Sequence, residues 1–139
     1  MKDTNAIDKL LVSAINTIIV IFFTLPFIFL KTNVDIRYIF LIIFFLYQII
    51  IICTKSRRSI GMRVLKIYWN KDYTLVNHIT FAVLYTLSFS TTIIWIAIPF
   101  DLLILNLLFI QLPFVCFTGY TLHGFLSGKM KGVKKTNKS

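Results

Sequence analysis

The sequence predicts an all-α membrane protein with four transmembrane helices and a basic interfacial segment between the second and third. Three observations predict it. Of 139 residues, 58% are hydrophobic and 14% charged, against about 25% charged in an average soluble domain, which leaves too little polar surface to face water. The apolar residues fall in long continuous runs with no polar alternation, and the 15 Lys and Arg fall almost entirely between those runs. A helix satisfies its backbone N–H and C=O groups within one segment, as hydrocarbon demands. The lack of alternation excludes a barrel.

The first run is Leu10 to Leu30, 21 residues interrupted only by Ser13, Asn16, Thr17, Thr24 and Pro26. It is too long for the apolar part of a signal peptide and no small-residue cleavage site follows, so it is expected to remain as a span. The second covers residues 37–53, with Gln48 as its strongly polar member. The third run, Ile79 to Phe117, has 39 residues and one charge, Asp101. One crossing of a hydrocarbon core about 30 Å thick needs roughly 20 residues, so this run makes two spans. Pro99-Phe100-Asp101 is the expected break, because proline lacks an N–H and a carboxylate belongs in water. The spans are then 10–30, 37–53, 79–98 and 102–118, in one transmembrane domain over 1–139.

Charge sets the direction. With both ends inside, thirteen of the 15 Lys and Arg lie in the N-terminal segment, the loop 54–78 and the tail 119–139. Lys31 and Arg37 alone fall outside. Positive residues stay on the cytoplasmic side, so the expected location is the cytoplasmic membrane, multi-pass, with both termini cytoplasmic. The formal charge of +10 therefore points to the anionic inner leaflet of a bilayer as partner and not to nucleic acid.

The loop 54–78 interleaves Arg57, Arg58, Arg63 and Lys66 with Ile60, Met62, Val64, Leu65, Ile67, Tyr68 and Trp69. A short interfacial helix or an extended segment is expected at the headgroups. Its aromatic rings would lie at the boundary and the four basic side chains would snorkel toward lipid. Asn70-Lys71-Asp72 reads as a turn.

Three segments carry a family resemblance: Ala6-Ile7-Asp8-Lys9-Leu10-Leu11, the stretch Arg58 to Ile67 with Gly61 and Arg63, and Leu122-His123-Gly124-Phe125. Together they resemble the RDD family of small bacterial integral membrane proteins, named for one arginine and two aspartates. Asp8 matches the first aspartate. The family arginine has no match, the second aspartate falls on Gly124, and the glycine-lysine step becomes Gly61-Met62. The resemblance implies the four-helix architecture. For activity it implies solute transport, cation/proton exchange or an accessory role in a membrane complex, and this chain departs from two of the three name-giving residues.

Asp8 has two readings. It is an exposed acid favoured at a helix N-terminus, or a carboxylate turned into the bundle toward His123 or Arg63. Asn16, Gln48, Asn106 and Gln111 are expected to bond between helices, because an unpaired amide in hydrocarbon costs several kcal/mol. Pro26 and Pro113 are expected to kink their helices. No phosphate-binding loop, dinucleotide fingerprint, nucleophile elbow or zinc-hydrolase motif is present in the sequence, so no catalytic residue, cofactor or metal is expected. A non-enzymatic accessory or protective role is expected, of the kind an immunity protein plays, through a membrane-protein partner or a second copy. Transport of a cation or small solute is the alternative. The charge asymmetry has a direct test. A cysteine placed at Asn33 or Phe100 should react with an impermeant reagent outside intact cells, and one at Asn137 should not; a tail labelled from outside would contradict the orientation.

Overall fold

A computed structural model describes residues 2–30, 34–94 and 110–134 and is mostly helical. The order is β1 (Lys2–Asp3), α1 (Ala6–Phe29), α2 (Ile36–Cys53), α3 (Ile60–Val64), β2 (Ile67–Trp69), α4 (Leu75–Ile94), α5 (Leu112–Thr118), α6 (Leu122–Leu126) and β3 (Gly132–Lys134). Among the described residues two helices, α1 and α2, are long and apolar enough to cross a membrane, and the Leu75–Ser88 part of α4 is a shorter apolar helix. The expected break at Pro99-Phe100-Asp101, residues 102–109 of span 102–118 with Asn106, and the residues after 134 lie outside the described residues.

Helix α1 starts four residues ahead of its apolar run. Asn5 accepts a hydrogen bond from the Asp8 N–H at 2.8 Å, and the Asp8 carboxylate accepts one from the Asn5 N–H at 3.2 Å. This reciprocal capping box supplies partners to backbone donors that a helix start otherwise leaves bare. Pro26 lies inside α1, which continues to Phe29. Helix α4 also starts early: Thr74 and Asn77 bond each other's backbone N–H across its first turn.

The buried positions of α2 are Phe44, Tyr47, Gln48 and Ile51, a stripe at helical spacing. Phe44, Tyr47 and Ile51 form the core with Val20 of α1 and Tyr85 of α4, and there the Phe44 and Tyr85 rings meet edge to face at 5.1 Å. The opposite faces of α1 and α2 are apolar and exposed, as Phe22, Phe29 and Ile50 illustrate.

The basic segment and the tail carry more order than the expected interfacial stretch and loose tail. Segment 54–78 forms both a short helix and a strand. Strand β3 of the tail lies between β1 and β2 in a three-stranded antiparallel sheet, with Lys2 and Ile67 both opposite Lys134. Thr4 donates from its hydroxyl to the Gly132 carbonyl at 2.9 Å, and Lys131 pairs with Asp3 at 2.6 Å. The N-terminus, the middle segment and the tail thus meet in one small cap.

Helix α3 lies against α1 because Gly61 has no side chain. A Cβ there would stand 2.6 Å from the Val12 carbonyl oxygen and 3.1 Å from Val12 Cα, both backbone atoms. Gly61→Ala should therefore push α3 off α1 and destabilise the protein by about 1–3 kcal/mol. Thermal unfolding in detergent reads this as a lowered midpoint; an unchanged midpoint would contradict the close approach.

Candidate functional site

Asn16 joins three elements. Its side chain is essentially fully buried. The carbonyl oxygen accepts from the Gly61 N–H at 3.0 Å and from the Tyr47 hydroxyl at 2.9 Å, and the amide donates to Ser59 Oγ at 3.2 Å. Ser59 Oγ also accepts from the Met62 N–H, which caps α3. The Tyr47 hydroxyl accepts from the Ile60 N–H at 3.1 Å. One amide therefore ties α1 to α2 and to the start of α3, and it brings together two residues singled out from the sequence, Asn16 and Gly61.

Asp8 is buried and held at both oxygens. One accepts from the Asn5 backbone, and the other pairs with Lys134 of β3. Neither expected partner reaches it. Arg63 is exposed and donates to the Arg58 carbonyl, Thr54 Oγ1 and Ser56 Oγ, folding back over the exit of α2. His123 stacks on Tyr85 at 4.4 Å and meets the edge of Phe81 at 4.7 Å. Burial pushes the His123 imidazole down to about 3, so the ring is neutral at neutral pH. Asp8 thus takes part of each sequence reading: it caps a helix start and is buried against a cation, but that cation is Lys134 from the far end of the chain.

The four basic residues expected at lipid divide. Arg57 donates to the Tyr73 carbonyl and Arg58 to the Ile67 carbonyl, with the Arg58 guanidinium 4.0 Å above the Tyr68 ring. Both are half-buried and turned to protein, whereas Arg63 and Lys66 are exposed. Trp69 donates its indole N–H to the Arg57 carbonyl at 2.8 Å. Where the family resemblance places an aspartate, a Cβ on Gly124 would stand 2.7 Å from Thr121 Oγ1 and 2.9 Å from the Met130 carbonyl oxygen. The turn leaves no room for that side chain.

Beneath the cap lies a cavity of about 350 Å³. Leu10, Ile51, Phe81, Ala82, Leu112 and Val115 supply apolar wall, and Thr4, Met130 and Gly132 line it on the side of the cap. Gln111 donates to Ser88 Oγ at 2.9 Å on its wall. Gln48 and His123 line it too, and their Nε2 and Nδ1 atoms have no hydrogen-bond partner among the described residues. No cluster of three metal-ligating side chains occurs among the described residues.

Comparison with protein-family models, with curated proteins and with solved structures returns no match. Function is therefore read from the geometry.

Sequence reasoning missed Lys134, Tyr47, Ser59 and Thr4. The Asn5-x-x-Asp8 spacing is a legible capping signal, but nothing local announces that residue 134 returns to residue 8. The Asp8–Lys134 pair has a direct test. In a double-mutant cycle of Asp8→Asn and Lys134→Met, followed by unfolding in detergent, the two losses should be coupled by about 1 kcal/mol. Additive losses would contradict the pair.

Proposed function

We propose that this chain is a four-span protein of the cytoplasmic membrane, related in architecture to the RDD family, with both termini on the cytoplasmic side. Its role is non-enzymatic: it accompanies or protects a membrane component, as an immunity protein does. The observation that carries the topology is the sheet. Strands β1, β2 and β3 come from the N-terminus, the segment after α2 and the tail, yet they pair with one another. Segments on one side of a bilayer are separated by an even number of crossings. That parity agrees with α1 and α2 as one pair of spans, and with α4 and a span ending in α5 as the other. Arg37, one of the two basic residues assigned outside, is paired with Asp35, whose carboxyl its guanidinium holds down at about 2. The exposed apolar faces of α1 and α2 are suited to lipid or to a membrane partner.

An exchanger that titrates Asp8 is the weaker reading, since that carboxylate is already engaged by Asn5 and Lys134 and lies at the start of its helix. The cavity keeps small-solute handling as the alternative. One experiment separates the two. Cells expressing the chain should survive a higher dose of a membrane-permeabilising peptide toxin, and proteoliposomes holding the purified protein should pass no proton, sodium or potassium flux. Flux without protection would replace the accessory reading with transport.

A further inference from the structure

We propose that the cavity under the cap binds an anionic single-chain amphiphile, its chain along the apolar wall and its acid head at Lys9, with Arg57 a second cation on the wall. The site goes beyond the accessory role and rests only on the chain lying in or at lipid, where such amphiphiles concentrate.

The charges in the wall decide the head group. Among the described residues lining the cavity, Lys9 and Arg57 are the charged ones, and no carboxylate joins them. Both are half-buried. The Lys9 ammonium donates to the Gly119 carbonyl, and Arg57 Nη1 to the Tyr73 carbonyl at 3.2 Å. An ammonium carries three donors and a guanidinium five, so both keep N–H groups for a ligand. Asp3 and Asp8 lie within electrostatic reach of Lys9, but each is already paired, with Lys131 and Lys134, and burial together with the Lys131 charge still pushes the Lys9 ammonium down from its ordinary value. A partly desolvated cation whose partners are carbonyls gains from an anion, through charge-assisted hydrogen bonds. A cationic head would be repelled by the cations of the wall, and an uncharged head would gain no charge-assisted bond from them.

The wall decides the rest of the ligand. Apart from these two cations it is mostly apolar, with scattered uncharged polar groups, among them Ser13, Asn16, Gln48, Ser59 and Gln111. Small-ligand pockets span roughly 300–1,000 Å³. A cavity of about 350 Å³ therefore suits one chain and not a two-chain phospholipid. A carboxylate and a phosphate monoester share the required chemistry, an acid head with two or more acceptor oxygens.

The test uses the full chain in phosphatidylcholine nanodiscs with radiolabelled dodecanoate as the probe. Saturable binding is expected, displaced by unlabelled dodecanoate or dodecyl phosphate. The stronger of those two competitors identifies the head group. Dodecanol should compete at least about tenfold more weakly, a difference of about 1.4 kcal/mol, and dodecylammonium should not compete. Lys9→Gln should weaken dodecanoate binding about tenfold, and Lys9→Arg should restore it. Ala82→Trp and Val115→Trp fill the cavity; whichever of them keeps the parent unfolding midpoint should abolish binding. Uptake equal to that of empty nanodiscs, dodecanol competing as well as dodecanoate, or binding unchanged in Lys9→Gln would each overturn the proposal. Failure here leaves the sidedness of the termini untouched, because labelling of intact cells reads that separately.

Discussion

A buried amide with three partners organises this protein. Asn16 lies about 15 Å along α1 from its first residue, in a stretch that is otherwise mostly apolar. An unpaired amide there would cost several kcal/mol, so the fold must bring it polar groups. Tyr47 comes from α2, and Ser59 and the Gly61 N–H come from the segment that follows. Satisfying Asn16 therefore draws the chain after α2 back against α1, and the bare Cα of Gly61 permits that contact. Once α3 is seated, β2 follows within a few residues and offers an edge to the tail.

The cap is the consequence. Strand β3 takes the centre of the sheet although it comes last in the chain. Lys131 and Lys134 clamp it to Asp3 and Asp8 at the start, while Thr4 binds the Gly132 carbonyl. Much of the positive charge that suggests a lipid surface is spent inside the protein. Arg57 and Arg58 serve carbonyls, and Lys9 sits at the C-terminal end of α5, where unpaired helix carbonyls favour a cation. Among the described residues Lys2, Lys55, Arg63, Lys66, Lys71 and Lys129 remain outward. The cap also roofs the cavity, so the residues that join the chain ends shape the space beneath.

The two long helices were legible from hydrophobicity, since a run of twenty apolar residues has few other solutions. Their starts were less so: an apolar count begins at Leu10, whereas the helix begins where Asn5 and Asp8 cap it. Asn16 as an interhelical group follows from the cost of an amide in hydrocarbon, but its partners do not, because Ser59 and Gly61 lie more than forty residues away. Asp8 shows the same limit. Its helix-start position was readable, but its expected partners His123 and Arg63 were wrong. His123 packs on aromatic rings and Arg63 turns to Thr54 and Ser56, leaving Lys134 as the cation that pairs with it. Strands of two or three residues leave no alternation to read, so the sheet was invisible to periodicity. Only long-range pairing reveals it.

The role of Asn16 is tested most directly by amide hydrogen exchange on Asn16→Leu beside the parent protein in detergent. The parent should protect the amides of residues 60–62 and of the sheet strands. In the variant, residues 60–62 should lose protection first and the strands with them, while the middle of α1 and α2 keeps its own. Protection of Gly61 that survives the substitution would contradict the account, and α3 would then be held by packing alone.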